Sequence, residues 1–327
     1  MATDEISRQP EGSDATTIAI ATLTFARNDY LTELLPRLVA QIDSVPQAAY
    51  VLVVDNHPDA IARPLVEQFP PHQVRYAHEP TPGIAAARNR ALLEARRDHF
   101  LVFIDDDEVP SSNWLKLLLQ AQERFSSAAV VGSVERVFAR EPGPWIRAGR
   151  FFHPDPLPTG TRVPAASTAN ILFDLKYIRR VGLQFDISLG LSGGSDTLFT
   201  RQIVNNGGEL VWCAEARVIE FIPPNRISRR WVLTRSFRAG NSDVKTAEAL
   251  TTSDLHLLRV RAQYLVRGLS RMVLGSVRSS LGTICHSLPW EARGARTVAR
   301  GAGMVVGAIG YKYDQEYRKT RKRAIET

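Results

Sequence analysis

Cysteine is scarce in this chain of 327 residues, which contains only Cys213 and Cys285. The two lie far apart in the sequence, so they form neither a disulfide framework nor a metal-ligand pattern, and a reducing compartment is favoured. An apolar core is also lacking in residues 1–17, which are polar and acidic, so a signal peptide is not expected there. We therefore expect a cytoplasmic protein with a frayed tail over residues 1–16.

Long apolar runs are lacking as well. The charge-free stretch at residues 301–311 is too short to cross a hydrocarbon core, which needs about 20 helical residues. With 44% hydrophobic and 8% aromatic residues, the chain can nevertheless bury a sizeable core, so a globular protein is expected.

Charge is unevenly distributed along the chain. From Arg226 to the end, 20 Lys and Arg stand against 7 Asp and Glu, which gives this part a net charge of +13, whereas the preceding residues are net acidic. The two parts are therefore expected to face different partners.

Apolar runs alternate with helical patterns in the first third of the chain. The predicted strands cover residues 17–25, 49–56, 73–80 and 99–107, and the predicted helices cover residues 29–42 and 83–97. Strands that are apolar throughout and alternate with helices indicate a largely parallel sheet covered on both faces. Ligands of such sheets bind at the carboxyl ends of the strands, where Thr24, Arg27, Asp55 and an acidic cluster fall.

The acidic cluster consists of four consecutive carboxylates, Asp105 to Glu108, directly after a buried strand. Neighbouring charges about 5 Å apart repel by roughly 3 kcal/mol at an effective dielectric of about 20, so a positive partner is expected. Asp105 and Asp107 would point to the same side of a strand, where two oxygen ligands suit Mg²⁺ or Mn²⁺ with substrate phosphates in the other positions. A solvated acidic turn that caps the next helix is the alternative.

A phosphate-facing turn is predicted at residues 81–92. Pro82 and Gly83 break the chain there, and a helix then begins with free backbone N–H groups. Arg88 and Asn89 on this helix could face a phosphate or could equally be surface residues.

Seven segments form an ordered set between residues 18 and 240. They read TFAR, VVDN, PGIAAARNRAL, FIDDDEVPSSNWL, STANILF, GGSDTLFTRQIVNNGG and WCAEARVIEFIPPNR. This set resembles the family 2 glycosyltransferases with a GT-A-type fold, and within them the exopolysaccharide-type branch. The resemblance implies an α/β fold with a Rossmann-like, mostly parallel central sheet and helices on both faces. A C-terminal helical appendage is expected in addition, from the pattern of the residues that follow. It also implies inverting, metal-dependent transfer of a sugar from a nucleotide sugar, with a uridine diphosphate sugar as the expected donor.

The resemblance further implies a donor pocket at the strand ends. Thr24, Phe25 and Arg27 would line the nucleotide pocket. Asp55 would hydrogen-bond the uracil ring, and Arg88 would approach the uridine diphosphate.

The acidic cluster matches the family's DxD motif. Asp105 would lie near the ribose, Asp107 would bind the Mg²⁺ or Mn²⁺ that bridges the diphosphate, and Asp106 fills the variable middle position. A cation bound there acts as a Lewis acid on the leaving group.

The catalytic base is expected in residues 191–208. Gly193 and Gly194 form a close-approach turn and place Asp196 at a helix start. An Asp after a double glycine is commonly a helix cap, but the resemblance implies that Asp196 is the general base that takes the acceptor's proton. Family members commonly carry Glu before this Asp, and Ser195 departs from that pattern, which affects the acceptor contacts more than the base.

Two further segments are expected near the donor sugar and the acceptor. Asn170 would contact the donor sugar or support the loop before a strand. Residues 220–242 carry arginines around Trp231 and Phe237, which could hold the donor diphosphate, hold an acceptor phosphate or form a solvated basic face. The phosphate candidates are Arg226, Arg235 and Arg238.

The C-terminal region is predicted to form amphipathic helices. Three arginines share one side of the helix in residues 263–290, namely Arg267, Arg271 and Arg278, and an apolar surface includes Leu265, Leu269, Met272, Val273 and Leu281. Such helices can lie in a membrane interface with anionic lipid. Packing on the catalytic domain, or on a second subunit in a homo-oligomer, is the alternative. The predicted organisation is a tail over residues 1–16, a GT-A-type domain over residues 17–245 and a basic helical region over residues 246–327.

The predicted function is transfer of a sugar from a nucleotide sugar to a lipid-linked saccharide or lipid acceptor, as in exopolysaccharide or glycolipid biosynthesis, at the inner face of the cell membrane. A nucleotidyltransferase is the first alternative, but no Gly-rich loop with Lys follows the first strand. Nucleic-acid binding is not expected, because the nucleotide-facing half is net acidic and the basic segment has few stacking aromatics. A catalytically inactive module that binds a nucleotide sugar is a further alternative, because Ser195 departs from the family pattern.

Overall fold

The computed structural model describes residues 16–152, 156–190, 193–251 and 253–311. The strands are β1 (Thr17–Thr24), β2 (Ala48–Asp55), β3 (Val74–His78), β4 (Phe100–Asp105), β5 (Glu108–Pro110), β6 (Ala129–Phe138), β7 (Asn170–Asp174) and β8 (Leu210–Ile222). The helices are α1 (Asn28–Ile42), α2 (Arg63–Val66), α3 (Ile84–Glu94), α4 (Trp114–Phe125), α5 (Pro144–Gly149), α6 (Leu175–Val181), α7 (Ser195–Asn205), α8 (Arg229–Ala249), α9 (Asp254–Ile284) and α10 (Leu288–Ala308). Short 3₁₀ helices lie at Ile187–Leu189 and Pro224–Arg226.

The sheet has two halves, in the order β3-β2-β1-β4-β7-β6-β8-β5. The first four strands are all parallel to one another. In the other half, β7 runs antiparallel to β4 and β6, β8 is parallel to β6, and β5 is antiparallel to β8. The predicted α/β fold with helices on both faces is confirmed, and the sheet is mixed because β5 and β7 reverse direction.

Alternation along β1 explains why both faces of the sheet are covered. Ile18 and Ile20 face a core with the leucines of α1 and with Trp114 of α4. Ala19 and Ala21 face the opposite core, which includes alanines of α3. Small residues on both partners let α3 lie close to the sheet, and this helix carries Arg88 toward the carboxyl ends of the strands.

A smaller core joins the helical region to the sheet. Trp145, Ile146 and Phe152 from around α5 pack with Val232 of α8 and Ala292 of α10. The predicted domain boundary after residue 245 falls inside α8. This helix therefore spans the boundary, and the division into two domains stays a prediction. Of the predicted tail, only Thr16 is described.

Glycines hold α9 and α10 together as a hairpin. A Cβ on Gly268 would lie 2.8 Å from the carbonyl oxygen of Gly301, and one on Gly275 would lie 2.8 Å from the backbone nitrogen of Val298. The two helix backbones are therefore in direct contact, and no side chain larger than hydrogen fits between them at these positions.

The face of α9 that points away from α10 carries exposed aliphatic side chains. They are Leu255, Leu258, Val266, Leu269, Val273, Val277, Leu281 and Ile284. Leu265 and Met272, predicted for the same surface, are partly buried instead.

Within the described ranges, none of the helices has both the length and the apolar character that crossing a membrane requires.

Candidate active site

The carboxyl ends of three neighbouring parallel strands form the centre of the site. The register pairs Thr24 of β1 with Asp55 of β2, and Leu23 of β1 with Asp105 of β4. These polar residues meet at one edge because parallel strands end on the same side of a sheet.

The acidic cluster alternates between buried and accessible carboxylates. β4 ends at Asp105, a turn contains Asp106 and Asp107, and β5 begins at Glu108. Asp106 and Glu108 are buried, whereas Asp105 and Asp107 are partly exposed. Asp105 and Asp107, the two partly exposed carboxylates, are the pair that the two-residue spacing predicts to lie on the same side of the strand.

Arg27 supplies part of the positive charge that the cluster requires. Its Nη1 donates to Asp106 Oδ1 at 2.8 Å and to Asp107 Oδ2 at 3.3 Å. Burial opposes its charged form, but the two carboxylates outweigh burial and leave the pKa of Arg27 raised. Ala26, with φ of 53°, turns the chain between β1 and α1 and sets the direction of Arg27.

The protein around Asp105 largely desolvates its carboxyl group, although the residue keeps some exposed surface. Burial raises its pKa to about 7, against the opposing charge of Arg88. The carboxylates of Asp107, Asp106 and Asp196 raise it further. Near neutral pH this site therefore favours either a proton or another cation beside Asp105.

Arg88 lies almost fully inside the protein, with 5% of its surface exposed. Its Nη1 donates to Ser195 Oγ at 2.8 Å, and its guanidinium lies 5.5 Å from the centre of the Phe185 ring. Its Nε has no hydrogen-bond partner among the described residues. Ser195 accepts a hydrogen bond without adding a negative charge, so Arg88 keeps a net positive charge facing Asp105. The reading of Arg88 as a surface residue is thus wrong.

Asp196 lies in the first turn of α7, which begins at Ser195 directly after two glycines with positive φ. Gly193 has φ of 80° and Gly194 has φ of 97°, a backbone conformation that other residues adopt only with strain. Asp196 is partly exposed, and its Oδ1 accepts the backbone N–H of Thr197 at 2.7 Å. This contact joins two neighbouring residues of the first turn and does not cap the helix, whose N-cap is Gly194. The charge of Asp196 also acts on Asp105, so Asp196 belongs to the site.

Asp55 is completely buried, and its carboxylate already has protein partners. It accepts the backbone N–H groups of His57 at 2.9 Å and Ala62 at 2.8 Å, and the Tyr76 hydroxyl at 3.2 Å. The predicted contact with a uracil ring stays a prediction, since the carboxylate here holds the loop after β2 in place. That loop presents His57, whose ring centre is 5.1 Å from that of Phe25.

Thr24 is likewise buried. The sequence did not predict that the ring of His57 would lie beside that of Phe25. Thr24 Oγ1 lies close to Asp106, but it has no hydrogen-bond partner among the described residues. The two rings form one side of the strand-end cleft, which leaves Phe25 rather than Thr24 as the accessible residue for a base.

Asn170 is buried inside the sheet and supports the structure rather than facing a sugar. Its Oδ1 accepts Trp114 Nε1–H at 2.8 Å, and its Nδ2 donates to the carbonyl oxygens of Ser133 and Ala216, each at 2.9 Å. These bonds fill the irregularity between β6 and β8. The expected donor-sugar contact of Asn170 is therefore corrected to its alternative, the supporting role.

Glu220 on β8 is a central residue that sequence reasoning missed. It lies in register with Arg136 of β6 and Glu108 of β5, and its Oε2 accepts from Arg136 Nε at 2.9 Å. Its Oε1 accepts from Arg226 Nη1 at 3.3 Å, and the same Nη1 lies 4.0 Å from Asp107. Only the pairing of β8 with two distant strands shows the partners of Glu220.

Glu108 shares this environment. Burial and the charge of Asp105 raise its pKa well above the ordinary range, and its Oε2 accepts the backbone N–H of Asp105 at 3.2 Å. A neutral Glu108 fits this position because Glu220 faces it across the strands.

The three arginine candidates for a phosphate separate in space. Arg226 contacts the acidic cluster. Arg235 lies over the Trp231 ring at 5.1 Å, in a cavity beyond Glu220. Arg238 lies on α8, and it does not line that cavity.

The part of the chain that the structure describes has no cluster of three or more His, Cys, Asp or Glu able to hold a metal ion alone. The accessible oxygens of Asp105 and Asp107 do fit a hard cation that takes its remaining ligands from phosphate and water. The protein thus suits a cation shared with a ligand.

Comparison with known proteins agrees with this architecture. The family model "Glycosyl transferase family 2" matches residues 19–183. The succinoglycan biosynthesis protein ExoM of Rhizobium meliloti (strain 1021) is 32% identical over 308 residues, which cover 92% of this chain and 95% of that protein.

Solved structures share the fold. S. aureus TarS (residues 1–349) in complex with UDP has a TM-score of 0.54 at 16% identity and covers 91% of this chain and 93% of its own. GalNAc-T7 with UDP, GalNAc and Mn²⁺ has a TM-score of 0.51 at 14% identity, with 77% of this chain and 55% of its own covered. The sequence matches show that the chain is an enzyme of glycosyl transferase family 2.

Proposed function

We propose that this enzyme transfers a sugar from a uridine diphosphate sugar to a lipid-linked saccharide or lipid acceptor, with inversion at the anomeric carbon, in exopolysaccharide or glycolipid biosynthesis. The convergence of Arg27, Arg88, Asp105, Asp107 and Asp196 at one sheet edge carries this proposal. The names of the similar proteins support it, since one refers to succinoglycan biosynthesis and others to UDP or UDP-GlcNAc.

The donor would lie along the strand ends. Phe25, with His57 behind it, offers a ring face to the base. The buried guanidinium of Arg88 offers an unused N–H to the diphosphate, where a charge-assisted hydrogen bond is strong. Arg27 holds the acidic turn in a fixed shape before the donor arrives.

Asp107, with Asp105 beside it, would hold a Mg²⁺ or Mn²⁺ ion. When bound, such an ion supplies Lewis-acid stabilisation of the charge that develops on the leaving diphosphate. The raised pKa of Asp105 supports this, because a carboxylate crowded by other carboxylates favours a nearby cation.

Asp196 would act as the general base. The glycine turn before it leaves room for an acceptor, and the carboxylate would take the hydroxyl proton as the oxygen attacks the anomeric carbon. Attack from the side opposite the leaving diphosphate inverts the anomeric centre in a single step.

Calorimetric titration with UDP tests the donor site. We expect binding with Mn²⁺, and loss of that binding with EDTA or in Asp107→Ala. Asp43→Ala is the matched control, because Asp43 is an exposed carboxylate just beyond the far end of α1. Binding that ignores both EDTA and Asp107→Ala would contradict the metal assignment, and no UDP binding would contradict the donor assignment.

The membrane surface is the proposed location of the acceptor. The aliphatic face of α9 lies opposite its glycine face, and Arg267, Arg271 and Arg278 flank it. This combination of apolar and basic side chains suits the interface of an anionic bilayer. Flotation with vesicles that contain anionic lipid tests this, and protein that stays at the bottom of the gradient would refute it.

A further inference from the structure

A second polar cavity lies beyond Glu220, between the sheet and the helical region. It has a volume of about 190 Å³, enough for a small polar group since one water occupies about 30 Å³ of liquid. Four arginines line it, one each from β6 and α8 and two from α10, and the acidic lining residue is Glu220. The arginines are Arg136, Arg235, Arg296 and Arg300.

Among the described residues, one arginine of this cavity lacks an acidic partner. Glu220 forms ion pairs with both Arg136 and Arg226, and Arg300 forms an ion pair with Asp243 at 2.8 Å. Arg296 makes no hydrogen bond or ion pair with any described residue, and burial together with Arg300 lowers its pKa. An anion in the cavity would give Arg296 a partner of opposite charge.

Aromatic rings fix the arginines and add apolar surface. The guanidinium of Arg296 lies 5.6 Å from the Phe151 ring centre, and that of Arg235 lies 5.1 Å from Trp231. Phe152 stacks on Trp231 at 5.6 Å with 15° between the planes. Guanidinium groups held on ring faces are oriented in advance for phosphate oxygens, while the rings can contact a sugar or an apolar chain.

We propose that this cavity binds the phosphate or diphosphate group of the acceptor, attached to a saccharide or lipid, and so positions the acceptor beside the donor. Arg226 reaches both Glu220 in the cavity wall and Asp107 in the acidic cluster, so the cavity adjoins the donor site. The inference rests on the proposed glycosyl transfer, because it names the chemical class of the second substrate.

The test uses the full-length protein and a soluble lipid diphosphate, geranyl diphosphate, in calorimetry with EDTA present. EDTA removes the metal on which donor binding is proposed to depend. We expect geranyl diphosphate to bind, and its dissociation constant to rise roughly tenfold or more in Arg296→Gln, because a charge-assisted contact is lost. Arg296→Glu should raise it further. Arg37→Gln, which removes an exposed arginine of α1 outside the cavity, is the matched control and should bind as the parent does.

Three outcomes would overturn the inference. They are no binding of geranyl diphosphate, equal weakening by Arg296→Gln and Arg37→Gln, and equally tight binding of inorganic pyrophosphate, which would show that no acceptor is recognised. Titration of the same variants with UDP and Mn²⁺ separates this inference from the proposed function. Intact UDP binding with failed geranyl diphosphate binding overturns the cavity assignment alone.

Discussion

The sheet domain and the α9–α10 hairpin use apolar residues in opposite ways. In the sheet domain, aliphatic side chains fill two cores and polar groups are gathered at one edge. In α9, glycines occupy the buried face and large aliphatics occupy the exposed one. A long helix that buries glycine and exposes valine and leucine gains little from burying its own side chains, so its apolar face is suited to a partner outside the chain.

The largest effect is expected from a change in the polar site of the sheet domain. Asp196→Asn keeps the shape of the side chain but removes its ability to take a proton, so we expect sugar transfer to fall by about 10²–10⁴. UDP affinity should be unchanged, as measured by calorimetry. Asp43→Asn should transfer at the parental rate, and full activity of Asp196→Asn would refute the assignment of the base.

The second prediction concerns the exposed aliphatic face of α9. Leu269→Glu combined with Val273→Glu places two carboxylates on the exposed face of α9, so we expect membrane association to weaken by about tenfold to a hundredfold. Vesicle flotation measures this. The melting temperature should barely change, since both side chains are exposed. A variant that floats as well as the parent, or a parent that forms dimers through this face in light scattering, would contradict the membrane role.

The third prediction tests the contact between the helices. In Gly275→Val, the new Cβ would meet Val298 N at 2.8 Å and Gly294 O at 2.9 Å, and backbone atoms cannot rotate away. We expect a loss of about 1–3 kcal/mol in the free energy of unfolding, measured by urea denaturation. Ser276→Val, one position along on the exposed side, should change stability by no more than about 0.5 kcal/mol. Similar losses for both variants would mean that the hairpin is not closely packed.

The smallest effect concerns pH. Because the pKa of Asp105 is raised to about 7 in the folded protein, the folded state binds more protons than the unfolded state between about pH 4 and pH 7. The stability contributed by protonated Asp105 is therefore present at the acidic end and lost as pH rises toward 7. Melting temperatures in EDTA should show a smaller decline over this range in Asp105→Asn than in the parent. Identical pH profiles for the two proteins would contradict the raised pKa.

The parallel half of the fold was predictable because its signals are local. Four apolar runs and the acidic cluster that ends the last of them are visible in the sequence, and the structure confirms the strands. The heptad spacing of Gly268, Gly275 and Gly282 was also visible and could have indicated the contact face of α9.

The direction of individual polar side chains could not be read in the same way. Asp55 and Asn170 are polar residues at strand ends, as ligand-binding residues would be, yet both are occupied by the protein itself. Asp55 accepts from the loop that follows β2 and from Tyr76, and Asn170 bonds to three distant segments. Glu220 belongs to the site only because β8 lies between β5 and β6. These relations depend on strand register across the chain, which no local pattern encodes.

The direct backbone contact between α9 and α10 also has a mechanical consequence. Side chains between two helices can change rotamer and absorb a small displacement, but backbones that touch at glycines have nothing between them to rearrange. The two helices should therefore move as one stiff plate. Arg296 and Arg300 lie on α10 and line the arginine cavity. A tilt of α9 caused by a partner on its outer face would therefore also displace these two arginines.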